Sequence, residues 1–250
     1  MRLYRETHIR AGLDELWAHT QDPVTRLRWD LRFRSVEPLP AAAGGPRRFT
    51  CAWRVLPLLT VPAAGVAAGE RDRPDGTRVC ALRFSSRHPL SPVAEASAYW
   101  RYVPDAQGVR LLTGYEYRPR GGAFGAVADR VLLRPLTGWA TAWSFDRLRL
   151  WLERGITPER SLLNWILELT VRALVLAACL TGLALHPLLG LGGPFADAMA
   201  FLCPLTLVVA GSLALFTAPL PVTPAARRCP RSPATRSRPP CVLRRLEAYG

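Results

Sequence analysis

The sequence lacks lysine altogether, and two other residue types are scarce. All 33 basic residues are Arg, Asn occurs once, and Ile occurs three times. This skew toward Arg, with abundant Ala, Gly and Pro, is typical of a GC-rich bacterial coding sequence. The net charge of +14 is therefore weak evidence for an acidic partner and needs a second observation before it indicates one.

Motifs for metal, nucleotide and nucleophilic chemistry are also missing. The six Cys include no C-x-x-C pair, which argues against a zinc site. The segment GGAFG lacks the Lys-Ser/Thr ending of a phosphate-binding loop. The four His lack the neighbours that a triad or a metal site requires; they are His8, His19, His88 and His186. We therefore expect no metal and no cofactor, and the sequence names no catalytic residue.

The first 155 residues are basic but show no nucleic-acid motif. They hold 24 Arg against 15 Asp and Glu, a net charge of +9, and the Arg residues are spread out rather than clustered among aromatics. Nucleic acid is therefore not an expected partner. The N-terminal MRLYRETHIR contains no apolar segment typical of a secretory signal peptide. We expect this region to stay in the cytoplasm.

Two long apolar runs occupy the last third of the sequence, at residues 173–196 and 198–226. Each is long enough to cross a bilayer, which requires about 20 apolar residues in a helix. The turn between them is predicted from Gly190, Gly192, Gly193 and Pro194. These features predict a transmembrane helical hairpin over residues 173–222, with a buried hairpin of a soluble protein as the alternative.

Charged residues flank the predicted hairpin. Residues 156–172 are predicted to form a linker or interfacial helix, in which Glu168 and Arg172 are spaced to pair. Residues 223–250 carry seven Arg and many Pro, which predicts a disordered tail close to anionic lipid. Because Arg is enriched on both sides, we expect a cell-membrane protein with two spans and with both ends in the cytoplasm.

The region before residue 155 has the pattern of a sheet. RRFTCAWRV places Phe49, Cys51 and Trp53 on one face, as in a half-buried antiparallel strand. Segments 77–85 and 108–118 repeat this alternation, and further strands are predicted at 3–9, 30–37, 58–69 and 95–103. The pattern therefore predicts about seven strands.

Two helical stretches accompany the predicted strands. The first is split over residues 13–20 and 23–27. The second runs from about residue 123 to 153, with apolar residues mostly three and four apart. Pro135 predicts a kink in this long helix. The order is one strand, two short helices, six strands and one long helix, an α+β domain over residues 1–155.

Two segments of this domain resemble a known superfamily. THIRAGLDELWAHTQDPVTRLRWD is similar to the first strand and the following helix of START/Bet v 1-like (SRPBCC) proteins, which include polyketide cyclases and lipid-transfer proteins. YEYRPRGGAFGAVADRVLLRPLTGWATAWSFDRLRLWLE resembles the last strand and closing helix. The resemblance implies a helix-grip fold, in which a curved antiparallel sheet surrounds a long C-terminal helix. It implies architecture more than activity.

The helix-grip fold implies a hydrophobic cavity between the sheet and the long helix. Seven aromatic residues at inward positions are the candidates to line it: Phe33, Trp53, Phe84, Tyr115, Tyr117, Trp139 and Trp143. Trp139 and Trp143 are one helical turn apart, so we expect them to share a face. Such a lining suits an apolar or aromatic ligand, although plain core packing is the alternative.

Three functions are compatible with this organisation. The first is a membrane-anchored binding protein for a lipid, an isoprenoid quinone or a polyketide-like molecule. The second is an aromatase/cyclase-like enzyme acting on a hydrophobic ketone, with Tyr115, Tyr117 and Arg101 as the polar candidates. The third is a structural or regulatory membrane protein whose small residues, from Ala210 to Ala214, permit close approach of another helix. We favour the binding protein.

Overall fold

The computed structural model describes residues 2–40, 46–56, 59–185 and 194–231. The described chain forms two compact units. Unit 1 comprises the chain up to Pro158 together with the described residues from Ala225 onward, and unit 2 comprises Glu159–Pro224. The predicted turn at residues 190–193, His186 and residues 232–250 of the predicted tail lie outside the described residues.

The described part of unit 1 contains a seven-stranded antiparallel sheet, as the alternating pattern predicted. The strands are β1 (Arg2–Ile9), β2 (Phe33–Pro38), β3 (Arg48–Leu56), β4 (Leu59–Asp72), β5 (Arg78–Ser85), β6 (Val93–Asp105) and β7 (Gly108–Pro119). Their order in the sheet is β1-β7-β6-β5-β4-β3-β2, so the first two strands form opposite edges. Consecutive strands from β2 to β7 are neighbours, and β1 alone pairs with a strand distant in sequence.

Register shifts interrupt four of the strand pairs, namely β2–β3, β3–β4, β4–β5 and β6–β7. An extra residue on one strand bends that strand and increases its twist. One close packing contact also shapes the sheet: a Cβ added at Gly65 would lie 2.2 Å from Cζ of Phe49. The Phe49 ring therefore covers the backbone of β4, and any side chain at residue 65 would require this ring to move.

Four helices and one π-helical turn complete the polypeptide of unit 1 before residue 158. They are α1 (Leu13–Gln21), α2 (Pro23–Trp29), α3 (Gly122–Ala128), the π-helical turn Asp129–Leu133 and α4 (Arg134–Arg154). The predicted kink in the long helix is therefore a widened turn just before Pro135. Proline has no N–H and its ring crowds the carbonyl four residues earlier, which disfavours a regular α-helical turn there.

The core of unit 1 lies between α1, α2, α4 and one end of the sheet. Its largest side chains are those of Trp29, Trp100, Tyr102 and Phe145, and all four are almost completely buried. Trp29 contacts both Trp100 and Phe145 through tilted rings with centroids 6.0 and 6.3 Å apart. Tyr102 hydrogen-bonds the hydroxyl of Thr20 at 2.7 Å, which fixes α1 against β6.

The chain returns to unit 1 after unit 2, and this differs from the predicted tail. Residues 225–231, here called the return segment, pack on α4 and β1. The amide of Ala225 donates to Oδ2 of Asp146 at 2.7 Å, and Arg228 Nη1 lies 2.9 Å from the same oxygen. The Cys229 side chain is buried in the core cluster and donates to the Ala142 carbonyl. Specific burial therefore orders a segment whose composition alone indicates disorder.

Unit 2 contains two apolar helices, α5 (Pro158–Leu185) and α6 (Pro194–Phe216). They run antiparallel, because a Cβ at Gly182 would meet the Leu207 side chain whereas Gly211 lies near Cys179 and Leu176. Gly211 therefore packs against α5 within the chain, and it is one of the small residues that the sequence singled out. Many apolar side chains of both helices are exposed.

Arg172 of α5 joins the two helices of unit 2. Arg172 contacts Glu168 Oε1 at 2.6 Å, as the spacing of these residues predicted. The same guanidinium donates to the carbonyl of Ala214 at 2.7 Å and to the hydroxyl of Thr217 at 3.0 Å. Because a cation interacts favourably with the negative end of a helix dipole, Arg172 holds the C-terminal end of α6 against α5.

Among the described residues, α5 is the one helix that is both long and apolar enough to cross a membrane. The part of α6 with described side chains, Leu202–Phe216, is apolar but shorter than a full span. One membrane-spanning candidate therefore stands where the sequence predicted two. The expected start of the first span also differs, because α5 begins at Pro158 rather than at residue 173 and includes residues 158–172 of the predicted linker.

Candidate functional site

A cavity of about 80 Å³ lies inside unit 1, between strands β2 to β7 and the helical segment that follows β7. Its lining is mainly apolar, and its aromatic members are Phe33, Trp53, Phe84, Tyr115 and Tyr117. The Phe33 and Phe84 rings stack with centroids 6.2 Å apart, and Phe49 contacts Phe84 edge-on. Leu133 and Thr137 are the helical residues of the lining.

Five of the seven aromatic candidates thus lie at the cavity, whereas Trp139 and Trp143 are not among its lining residues. These two rings stack on each other at 5.9 Å, with Trp139 exposed and Trp143 buried beneath Arg147. The π-helical turn explains the difference. One inserted residue rotates the side chains that follow it by about 100° around the helix axis. The residues after the π-helical turn therefore point in a different direction from the one that an unbroken helix predicts.

Arg101, the third polar candidate for an enzymatic role, is also not among the lining residues. It pairs with Val79 and Leu112 across β6, and its side chain experiences the charges of Arg73 and Asp75. Partial burial lowers the pKa of its guanidinium, with Arg73 acting in the same direction. Arg101 therefore has no described route to a ligand in this cavity.

The charged residue that does line the cavity is Arg32, which the sequence had not singled out. Its Nε and Nη2 atoms donate to the two oxygens of Asp30 at 2.8 and 2.7 Å. Arg26 contacts the same carboxylate, with Nε 3.4 Å from Oδ2. All three side chains are buried. Burial alone would raise the pKa of Asp30, but Arg32 and then Arg26 outweigh this effect and hold that pKa below its usual range.

Helix α4 positions the turn that carries Asp30 and Arg32. The Thr141 hydroxyl accepts a hydrogen bond from Arg32 Nη1 at 3.3 Å, and the Ser144 hydroxyl accepts one from the Leu31 amide at 2.9 Å. Thr141 and Ser144 are fully buried. Together with Thr137 they form a stripe of small polar residues on one side of α4. This stripe, rather than the two tryptophans, faces the cavity and the buried charges.

A second polar cluster lies at the wall of the cavity near the π-helical turn. The Tyr117 hydroxyl donates to Oδ1 of Asp129 at 2.6 Å, and Arg134 Nη2 lies 3.1 Å from Oδ2 of the same residue. Burial, and then this hydrogen bond, raises the pKa of Tyr117. Its phenol therefore stays neutral, with its proton committed to Asp129, and the same phenol also interacts with Arg134.

The remaining polar groups of the lining are mostly committed to the protein. The Ser86 and Ser91 hydroxyls donate to the Pro62 and Val93 carbonyls at 2.7 and 2.6 Å. Burial raises the pKa of the Cys51 thiol to about 11, so it is not an activated nucleophile. Within the described ranges no group of three His, Cys, Asp or Glu side chains could hold a metal ion.

The described histidines make local contacts outside the cavity. His8 lies 3.1 Å from Asp105, and His19 Nδ1 lies 2.9 Å from the Glu15 carbonyl. His88 accepts a hydrogen bond from the amide of Leu90 at 3.2 Å and is part of the β5–β6 loop. These contacts organise turns and helix ends, and they give the three histidines a structural role.

A second, wider groove of about 640 Å³ lies within unit 2, beside α5 and α6. Its walls are chiefly Leu, Val and Ala side chains, and Glu168 and Arg172 are its charged members. Both charged groups are already joined to each other and to backbone atoms, since Glu168 Oε2 also accepts from the Leu220 amide at 3.1 Å. This groove offers apolar surface, as lipid chains require, but no charge that is available for recognition.

Comparisons with known proteins give partial matches. No family model matches the chain. The uncharacterized membrane protein YndG of Bacillus subtilis strain 168 is 40% identical over 159 residues, which is 63% of this chain but only 59% of that protein. Among solved structures, a STAR-related lipid transfer protein of Xanthomonas axonopodis is 18% identical, with a TM-score of 0.46, over 60% of this chain and 85% of that chain. The Zhui aromatase/cyclase of Streptomyces sp. R1128 is 17% identical, with a TM-score of 0.41, over 60% of this chain and 96% of that chain.

Proposed function

We propose that this chain is a membrane-anchored protein that binds a hydrophobic small molecule, such as a lipid, an isoprenoid quinone or a polyketide-like molecule, in the cavity of unit 1. The observation that carries the proposal is the cavity itself, because five aromatic side chains surround an internal space of about 80 Å³. A well-packed core leaves few voids of this size, and an apolar void is suited to an apolar ligand.

The cavity is small for a whole lipid. Ligand pockets usually measure about 300–1,000 Å³, so we propose that only part of the ligand enters unless side chains move. An apolar surface lies beside the cavity: Phe124 and Val131 are 83% and 72% exposed, and they belong to the same helical segment as the lining residue Leu133. This surface supports an apolar ligand that extends out of the cavity.

Membrane anchoring is supported by the length and composition of α5 and by the similarity to YndG, which is named as a membrane protein. The return segment supports two spans rather than one. Unit 1 contains both the residues before α5 and the residues after α6. A chain that crosses the bilayer through α5 must therefore cross back before Ala225, and α6 is the described element available for the second crossing.

Two crossings would also leave unit 1 and the tail that follows it on the same side of the membrane. Arg154 and Arg160 precede the apolar part of α5, while Arg227, Arg228 and Arg231 follow α6. Because Arg is retained on the cytoplasmic side, we propose that this side is the cytoplasm. Fusing alkaline phosphatase or a fluorescent protein to either end tests this topology. Phosphatase activity at either end would contradict it.

Binding is tested by purifying the full chain in mild detergent and identifying the small molecules that copurify with it. The informative variants are Ala63→Phe and Ala64→Phe, because these neighbours on β4 point to opposite faces of the sheet. Ala63 lines the cavity, whereas Ala64 is exposed. We expect Ala63→Phe to fill the cavity and to lose the copurifying ligand, while Ala64→Phe retains it.

Two outcomes would count against binding in the cavity. One is a full chain from which no hydrophobic molecule above the detergent and lipid background can be extracted. The other is an equal yield of the molecule from both Phe variants, which would place the ligand elsewhere, for example in the groove beside α5 and α6. Circular dichroism of each variant checks that the sheet remains folded.

A further inference from the structure

The buried charges beside the cavity are unequal in number. Asp30 provides one carboxylate, and two guanidiniums contact it, those of Arg26 and Arg32. Burial is nearly complete for all three side chains, at 10%, 0% and 3% exposure for Arg26, Asp30 and Arg32. A buried charge normally requires a partner, because removing it from water is costly. This cluster therefore holds one positive charge more than its described partners compensate.

Hydrogen-bond donors are also in excess at this site. Arg32 uses Nε and Nη2 on Asp30 and Nη1 on Thr141, which accounts for three of the five N–H groups of a guanidinium. One N–H on each terminal nitrogen has no acceptor among the described residues. In the described part of the chain Arg26 donates through Nε alone, and the faces of Phe33 and Trp100 lie 4.7 and 4.4 Å from its central carbon.

The described residues that line the cavity provide no further negative charge to compensate the charge of Arg32. The described lining residues include no carboxylate, and Asp129, behind Tyr117, is occupied by Tyr117 and Arg134. The rings of Phe33 and Tyr115 lie 5.6 and 5.3 Å from the central carbon of Arg32. Arg32 is thus a buried cation that lines an aromatic, mainly apolar cavity.

From this arrangement we infer that Arg32 binds the acidic end of the ligand, and that the ligand is a hydrophobic monocarboxylate. The inference rests on the proposed binding function and names the chemistry of its ligand. A carboxylate supplies one negative charge and matches the excess of one, whereas a phosphate monoester dianion would overcompensate it and is bulkier. Charge-assisted hydrogen bonds from a guanidinium to a carboxylate are among the strongest available to a protein.

The matched probes are 4-butylbenzoate and its uncharged amide, which have nearly the same shape. Their affinities for the full chain in lipid nanodiscs can be measured by titration calorimetry at pH 7.5, with empty nanodiscs as the blank. We expect the acid to bind about tenfold more tightly than the amide or better, because a hydrogen bond to a charged group outweighs a neutral one by about that factor. Butyl phosphate as a third probe should bind more weakly than the acid.

Variants locate the effect. In Arg32→Gln the preference for acid over amide should fall to about onefold, since the charge is gone, while amide binding persists. Arg32→Lys retains the charge without the planar fork and should give an intermediate preference. Arg34→Gln, which alters an exposed Arg two residues away on β2, should leave the preference unchanged. Because the preference is already measurable in the unsubstituted chain, the test does not depend on the folding of any variant.

The possible results separate this inference from the function on which it rests. Equal binding of acid and amide by the unsubstituted chain would overturn the inference and leave the binding function standing. Tighter binding of butyl phosphate would also overturn it. Binding of neither aromatic probe would overturn the inference, and an empty protein after mild purification would remove the binding function as well. A preference for the acid that survives in Arg32→Gln would assign recognition to another residue.

Discussion

Asp146 is the residue whose replacement most directly tests how unit 1 is completed. Its carboxylate is fully buried and accepts from three groups: the Ala225 amide, Arg228 and, at 2.7 Å, Arg149 Nε. Two of these donors belong to the return segment. The substitution Asp146→Ala should therefore detach residues 225–231 from α4 as well as destabilise the protein.

The size of the effect follows from the lost hydrogen bonds. Each bond to a buried charged group contributes about 1.5–3 kcal/mol, and three are lost. Arg149 keeps its contact with Glu153 at 2.8 Å, which offsets part of the loss. Alanine also favours the helix by about 0.5 kcal/mol relative to Asp. With Arg149 held by Glu153, the two remaining bonds amount to about 3–6 kcal/mol, so the free energy of unfolding should fall by about 3–5 kcal/mol and a domain of this size then melts about 6–20 °C lower.

Thermal unfolding of the full chain in mild detergent, followed by circular dichroism, measures this change. Trypsin digestion adds a local readout, because Arg227, Arg228 and Arg231 should be cleaved sooner in Asp146→Ala than in the unsubstituted chain. The control is Asp14→Ala, which removes an exposed carboxylate of α1 that pairs with Arg78 at 2.8 Å and should have little effect. A melting temperature and trypsin pattern like those of the control would refute the role assigned to Asp146.

Three further predictions concern the cavity charges, its thiol and the helix pair. The folded pKa of Asp30 is depressed, so its ionised carboxylate stabilises the fold above the unfolded pKa, and this stabilisation is lost as the pH falls through the folded pKa. The melting temperatures of Asp30→Asn and of the unsubstituted chain should therefore differ at pH 7 and converge at low pH. The folded pKa of Cys51 is raised to about 11, so the neutral thiol stabilises the fold fully below the unfolded pKa, and this stabilisation declines as the pH rises toward 11. Labelling of Cys51 with a maleimide, followed by mass spectrometry, should be slow at pH 7 and should accelerate as the pH rises. Gly182→Leu should lower the melting temperature of the helix pair, because its side chain would collide with Leu207, while Ala184→Leu on an exposed face of the same helix should not.

The strands were predictable because their signal is local. Alternation of apolar and polar residues reports which face of a half-buried strand is inward, and β3 and β7 carry it over most of their length. The inward positions Trp53, Tyr115 and Tyr117 consequently fall at the cavity. The element order could be predicted for the same reason. What the pattern does not contain is the pairing of β1 with β7, which depends on contacts between distant residues.

Arg32 could not be found by the same reasoning. A strand was predicted over residues 30–37, but β2 begins at Phe33, and residues 31 and 32 form a turn that directs Arg32 inward. In a chain with 33 Arg, an individual Arg is expected to face water. The available signal lay on α4, where Thr137, Thr141 and Ser144 recur at helical spacing. Small polar residues on a buried helix face indicate a buried polar partner.

The return segment shows the limit of composition as a guide. Residues 225–231 belong to the stretch 223–250, whose many Arg and Pro predict disorder, yet Cys229 is buried among Ala142 and the core side chains. Burial of the Cys229 side chain and the bonds to Asp146 are specific to this place in the fold. These contacts join residues far apart in the sequence, so the residues near position 228 do not predict them.

Unit 1 is consequently formed by two segments of the chain, one before and one after α5 and α6. Its sheet and α4 are complete by residue 154, but the side chain of Cys229 and the donors for Asp146 come only after α5 and α6 have been made. Until then Asp146 retains only Arg149, and a position in the core is empty. A buried carboxylate and an apolar void both reduce stability. The stability of the proposed ligand-binding unit is therefore coupled to synthesis of its own helical pair, so that the cavity becomes fully stable only in a chain that already carries α5 and α6.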